Sequence, residues 1–320
     1  MLDPTRLPLS LGFILSVLGA FGNAVASPPP LHISAFKDIT AFLLDRVSQD
    51  YGLKLEINYV KNADEAHEDL RQQRADIVFM SYDDTLSMAV QEGYSDIAAF
   101  LPVHGGLLDL CGTLDLAAGK NRLGIDTETG YARALRLFLR DRYPDQRDYG
   151  QLQWLKKGAT NIRYERLLDG TLDATLLNPP YSYQQGVQRI APLSHSRAIP
   201  HYLGVVGNLK RSWLVNPANR QAVAEFVKAY RLTVANLRNH QEAAVNRLAA
   251  FYHLPEPIAA AVYARLWEAD GLATSLEFDI QALAETELIF SQDTGLQVPK
   301  ERAWILPQNP ALDRLSIPGH

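Results

Sequence analysis

The residues best suited to chemistry are short polar clusters where a strand gives way to a helix. Gly124-Ile-Asp-Thr-Glu-Thr-Gly-Tyr is the fullest of them. A short strand there runs into a polar turn of Thr127, Thr129 and Gly130, and Tyr131 opens an amphipathic helix. Such a turn leaves backbone N–H groups free at a helix N-terminus, which suits an anion or the polar head of a ligand. The alternative is a plain N-cap with Tyr131 stapled into the core. Glu128 would repel an anion, so it is expected to face solvent or to meet a basic ligand group.

Two serines occupy comparable places. Ser34 ends the first strand and Ser81 the third, and α/β sheets bind ligands beyond the carboxyl ends of their strands. Each precedes a helix, so each is a helix cap, a ligand contact, or both. Phe36 and Tyr82 flank them as rim, core or stacking aromatics. Asn178-Pro179-Pro180-Tyr181 follows a buried strand. Asn178 either donates to a ligand from its amide or closes the turn, and Tyr181 and Tyr183 either line a cleft or cover the lobe. Lys37 and His104 are the cationic candidates near such a cleft. His195 and His201 lie in a loop without a third metal ligand and read as solvated.

The motifs that are missing narrow the chemistry. The chain has no phosphate-binding Gly-x-x-x-x-Gly-Lys-Ser/Thr loop, no Gly-x-Gly-x-x-Gly after a strand, no Gly-x-Ser-x-Gly elbow and no His-Glu-x-x-His. Neither a cofactor nor a metal is expected. With a net charge of −5 there is no basic footprint for nucleic acid. One cysteine, Cys111, allows no disulfide within the chain.

The elements that must position these residues follow an α/β rhythm. Strands are expected at 31–34, 53–60, 75–81 and 96–103, with helices at 38–51, 63–73 and 83–92 between them. The rhythm then repeats, with strands at 123–126, 152–155 and 172–177 and helices at 131–142 and 161–168. From Asn216-Pro217, an N-cap followed by proline in the first turn, the pattern is helical over 218–237, 241–252, 255–267 and 279–294. The fold class expected is α/β: two lobes with a hinge, a central ligand cleft and C-terminal helices. Residues 31–105 and 208–300 form lobe 1, 106–207 form lobe 2, and 301–320 an irregular tail. The chain is expected to cross between lobes near 103–123 and 200–207, which places the ligand between them.

The first residues read as a targeting segment. Arg6 precedes an apolar run too short for a comfortable membrane span, and Ala24-Val-Ala26 offers small residues where a signal peptidase cuts. Cleavage after Ala26 is expected to give a periplasmic, monomeric protein that does not itself span the membrane.

These stretches also resemble a family. The leader, Ala75-Asp-Ile-Val-Phe, Gly124-Ile-Asp-Thr-Glu-Thr-Gly-Tyr-Ala and Arg166-Leu-Leu-Asp-Gly-Thr-Leu-Asp-Ala-Thr-Leu-Leu-Asn-Pro-Pro look like periplasmic substrate-binding proteins of ABC importers, of the sulfonate/nitrate/taurine type, also called NMT1/THI5-like. Tyr202-Leu-Gly-Val-Val, Lys210-Arg-Ser-Trp and Asn216-Pro-Ala-Asn-Arg-Gln-Ala-Val resemble the return crossover and C-terminal helices of that family. The resemblance runs from about Leu31 to Leu296. It implies a type II periplasmic-binding fold that closes on a small-molecule ligand and hands it to an ABC transporter permease, with no catalysis. It implies ligand contacts at Ser34–Phe36, Ser81–Tyr82 and Thr127–Tyr131, with Asn178–Tyr181 in addition. No arginine stands at a mapped contact to grip a sulfonate in bidentate fashion. An aromatic, pyrimidine-like or amide ligand is therefore open beside sulfonate and nitrate. The alternatives are an enzyme on the same fold, related to pyrimidine synthesis or the menaquinone pathway, and a partner that presents ligand to a membrane sensor.

Overall fold

Alternation builds the first strand. In β1 (Leu31–Ala35), Leu31, Ile33 and Ala35 are buried and His32 faces solvent. The computed structural model describes residues 30–115, 118–143 and 151–306. The expected signal peptide, 1–26, and tail residues 307–320 lie outside the described residues. Asp38 caps α1 (Ile39–Tyr51) by accepting the Thr40 N–H at 2.8 Å, and Gly52, at φ +66°, ends it. Then follow β2 (Leu55–Tyr59), α2 (Ala63–Arg71), β3 (Ile77–Ser81), α3 (Tyr82–Leu86) and β4 (Ile97–Pro102). The helix expected at 83–92 is divided: α3 passes into a π-helical turn over Ser87–Gln91.

The second half of the α/β rhythm runs β5 (Asp109–Gly112), β6 (Arg122–Ile125), α4 (Tyr131–Arg142), β7 (Gln153–Lys156), α5 (Thr160–Leu168), β8 (Ala174–Leu177) and β9 (Arg189–Pro192). The chain then forms β10 (Val205–Lys210) and the helices α6 (Pro217–Asn239), α7 (Gln241–Tyr252), α8 (Glu256–Arg265) and α9 (Ile280–Thr294). No described helix is long and apolar enough to cross a membrane.

The strands form two five-stranded sheets, ordered β2-β1-β3-β10-β4 and β7-β6-β8-β5-β9. Each sheet has a parallel portion and one antiparallel strand, β10 in the first and β5 in the second. The sequence pattern did not announce β5, β9 or β10. β5 and the start of β10 fall in stretches that read as crossings between lobes, and β10 carries a buried asparagine. Asn208 is satisfied inside the sheet by the Thr85 hydroxyl at 2.9 Å and the Val206 carbonyl at 3.1 Å, as a buried amide must be.

Helices cover both faces of the first sheet. Phe42, Phe79, Phe226 and Tyr230 fill one side beneath α1 and α6, and Val78, Met80, Phe290 and Trp304 fill the other beneath α9. Burying a ring such as Phe226 contributes about 2–3 kcal/mol. Leu123, Ile125, Leu135 and Phe138 form the core of the second lobe. The two crossings, Val103–Leu108 and Leu193–Gly204, run side by side: the Val103 N–H donates to the Val205 carbonyl at 2.9 Å and the Gly204 N–H to the His104 carbonyl at 2.9 Å.

Candidate functional site

The carboxyl ends of both sheets face one small cavity between the lobes. Phe36, Asp38, Ser81 and Asp84 reach it from the first lobe, and Asp126, the 127–131 turn, Thr160, Arg163 and Asn178 from the second. Its volume is about 30 Å3, room for a water molecule and far below the hundreds of Å3 of a ligand cleft. The lobes are thus closed on each other, and a ligand reaches these residues only when they part.

Hydrogen bonds across the gap account for the closure. The Gly130 N–H donates to Asp83 Oδ1 at 2.9 Å, and the Thr129 hydroxyl donates to Asp84 Oδ1 at 2.9 Å. Arg133, in the first turn of α4, donates to Asp83, to the Ser87 hydroxyl at 3.0 Å and to Asp293 of α9 at 3.0 Å. The Ala63 N–H donates to Asp126 Oδ2 at 3.2 Å, and the Ala159 N–H to the Lys61 carbonyl at 2.7 Å. Gly130 has φ +57° and ψ −131°, backbone space that favours glycine. A Cβ there would stand 3.1 Å from Asp84 Oδ2. The free donors of the α4 N-terminus exist as the sequence suggests, but carboxylates of the opposite lobe already take them.

Of the residues singled out from sequence, the structure brings Phe36, Ser81, Thr127, Thr129, Gly130, Tyr131 and Asn178 to the cavity. Ser81 is also the N-cap of α3, accepting the Asp84 N–H at 3.0 Å while donating to Asp84 Oδ2 at 2.6 Å. Asn178 spends its amide donors on the carbonyls of Gly106 at 3.2 Å and Leu107 at 3.3 Å, holding the crossing segment. Glu128 faces solvent and pairs with Arg136 at 2.6 Å.

Three expected contacts lie elsewhere. The Ser34 hydroxyl donates to Asp69 at 2.6 Å, within a group that includes Asn58 and Arg74. Tyr82 is fully buried toward α9, where its hydroxyl donates to Glu287 at 2.9 Å and accepts from Trp304 Nε1 at 2.9 Å. As the first helical residue after the Ser81 cap, it points away from the cavity. Tyr181 packs on Tyr164, with ring centroids 5.4 Å apart, beside Cys111 and Leu177. Nor is His104 a cation: burial pushes its pKa down to about 3 and the ring is neutral. Lys37 is solvent-exposed.

Sequence reading passed over the charged wall. Arg163 is 4% exposed, and it donates from Nε to the Thr175 hydroxyl at 3.1 Å, from Nη2 to the Leu176 carbonyl at 3.1 Å and from Nη1 to the Gly158 carbonyl. Asp38 lines the cavity from the first lobe and Asp126 from the second, the side that carries Arg163. Burial outweighs the attraction of Arg163 and raises Asp38 to about 6 and Asp126 to about 7. Asp126 Oδ1 and the Tyr131 hydroxyl are buried without a hydrogen-bond partner among the described residues.

No protein-family model matches the chain, and no curated protein matches it. Solved structures do. A ligand-binding component of an ABC-type import system from Staphylococcus aureus, described with zinc bound, aligns with a TM-score of 0.70 at 14% identity, over 88% of this chain and 97% of that one. A Candida albicans gene product, described as having the generic periplasmic binding protein fold, aligns with a TM-score of 0.64 at 12% identity, over 87% and 96%. The alkanesulfonate-binding protein SsuA from Xanthomonas axonopodis pv. citri, bound to MOPS, aligns with a TM-score of 0.62 at 15% identity, over 88% and 100%. At these identities the likeness shows the fold, and the fold of this chain is that of the periplasmic binding proteins.

Proposed function

We propose that this chain is an extracytoplasmic solute-binding protein that captures a small organic ligand between its lobes and delivers it to an ABC transporter permease. The observation that carries the reading is the convergence of polar side chains from both lobes on one interlobe cavity, with hydrogen bonds from Thr129, Gly130 and Arg133 closing one lobe on the other. Closure of this kind binds by desolvating a ligand and by shifting the population from open to closed. The ABC-import proteins with the same fold support the assignment. The leader that ends at Ala26 supports export to the periplasm, and the folded chain acts as a monomer. No bond is made or broken, and the ligand is drawn from the sulfonate, nitrate, pyrimidine or aromatic classes.

The reading is tested by thermal unfolding of the purified protein against a panel of those ligands, with small-angle scattering on every hit. A ligand at a hundred times its Kd adds about 2.7 kcal/mol of stability, a shift of several degrees. The expected result is a rise in Tm together with a change in radius of gyration. A panel that moves neither quantity, with no small molecule released from the native protein on denaturation, overturns the proposal.

A further inference from the structure

The charges on the cavity wall do not balance. Asp38, Asp84 and Asp126 face it, and Arg163 is the one cation among its lining residues. The nitrogens of Arg163 are each tied to protein oxygens, so its donors secure β8 and the Gly158 turn. Arg133 is spent on Asp83 and Asp293, and His67, behind the cavity, holds Nε2 3.8 Å from Asp84 Oδ1. The acceptors, by contrast, are only partly used. Asp38, 3% exposed, accepts the Thr40 N–H on one oxygen. Asp126 accepts from the Ala63 N–H on one oxygen and has no partner on the other. The Gly130 N–H and the Thr129 hydroxyl are taken by Asp83 and Asp84, which leaves the Tyr131 hydroxyl as an unpartnered donor on the lining.

Buried acceptors without donors cost free energy, and more so when ionised. A ligand bearing N–H donors and a positive charge removes that cost; an anionic one adds to it. We infer that the cleft takes a small ligand with a protonated nitrogen, an amine or amidine held between Asp38 of the first lobe and Asp126 of the second. The inference rests on the solute-binding reading and replaces its sulfonate and nitrate classes with a ligand that carries a protonated nitrogen. Burial that raises both carboxyls in the closed protein is the counterpart of this arrangement: each gains a cation when the ligand arrives. With one carboxylate from each lobe, the ammonium group itself draws the lobes together.

The test pairs probes that differ only in the amine: putrescine against 1,4-butanediol and benzylamine against benzyl alcohol, with ethanesulfonate and nitrate as anionic arms. Thermal unfolding and calorimetric titration of the full-length purified protein are expected to show stabilisation by the amines and none by their alcohols. Asp126→Asn and Asp38→Asn keep the acceptors for Ala63 and Thr40 while removing the charge. Each is expected to weaken amine binding on the order of tenfold or more and to leave the ligand-free Tm unchanged or higher. A merely structural role would lower the ligand-free Tm and keep the preference for amine over alcohol. Stabilisation by the anions or alcohols instead of the amines overturns the inference and leaves the solute-binding reading intact; silence from all six probes overturns the inference. The solute-binding reading falls separately, by its own panel.

Discussion

The guanidinium of Arg133 in α4 is hydrogen bonded to the carboxylate of Asp83 in α3, and the pair spans the two lobes while 4% and 0% exposed. Removing one member of a buried pair strands the other at a cost of about 3–5 kcal/mol if nothing moves. Here something can move, because opening the cleft returns Asp83 to water. Arg133→Met, which keeps the apolar stem and deletes the charge, is therefore expected to open the lobes more than it unfolds them. Small-angle scattering checks this: the variant should show a larger radius of gyration than the parent, with a smaller loss in denaturant stability than the buried-pair figure. An unchanged radius would show that the pair does not hold the closed state.

The α4 turn supplies a second lever. Gly130 combines φ +57° with the Asp84 carboxylate and the Ser81 hydroxyl 3.1 and 3.2 Å from where a methyl group would go. Gly170, at φ +74°, has open space around it. Alanine at either position meets backbone strain of about 1–3 kcal/mol, but only at 130 does it also press on the opposite lobe. Gly130→Ala is expected to lose more stability than Gly170→Ala and to bind the panel ligands more weakly, with Gly170→Ala matching the parent in affinity. Urea denaturation and calorimetry measure the two effects, and equal behaviour of the two variants would count against contact across the cleft.

Stability should fall as pH rises between about 4 and 8. Asp38 at about 6 and Asp126 at about 7 lie above the ordinary aspartate value of 3.8, with burial as the main cause. Between the unfolded and folded values the native protein binds more protons than the unfolded chain, so the slope of unfolding free energy against pH is negative for these groups. Their contribution is complete below about pH 4 and is lost as pH rises through 6 and 7. Asp126→Asn removes one of the two titrations, so its stability should vary less over this range than that of the parent. Denaturation midpoints at half-unit pH steps decide it; parallel curves would refute the assignment.

Much of this architecture can be read along the chain, and the losses have definite causes. The bounds of α4, Tyr131 to Arg142, follow from the Gly130 turn and the apolar spacing behind it. The rule that ligands gather at strand ends found Ser81 and Thr127. Applied to charged residues as well, it would have found Asp38, Asp84 and Asp126, which lie three, three and one positions beyond their strands. The sequence pattern places Asp38 at the start of a helix, Asp84 inside one and Asp126 at the end of a strand, and none of those places by itself signals a cavity. Arg163 had no such signal. It sits among polar and apolar residues of α5, and only the packing of α5 against β8 turns it inward. β5 lies in a stretch that reads as a crossing between lobes and β9 in one that reads as loop, although both belong to the second sheet.

Tyr82 separates a residue near the site from a residue in it. Its hydroxyl links Trp304 to Glu287, and Glu287 keeps Arg302 on both oxygens, at 2.6 and 2.8 Å. The contact ties residues 302–304 to α9 and to the first sheet, where the Ala99 N–H donates to the Trp304 carbonyl at 2.7 Å. Tyr82→Phe deletes one oxygen and leaves the buried Trp304 N–H without an acceptor, a loss of about 1–3 kcal/mol. The ring keeps its packing against Phe290 and Trp304 in the core. Denaturant unfolding should therefore report that loss, while ligand affinity measured below the transition stays at the parent value. A drop in affinity with unchanged stability would place the Tyr82 hydroxyl in the cleft after all.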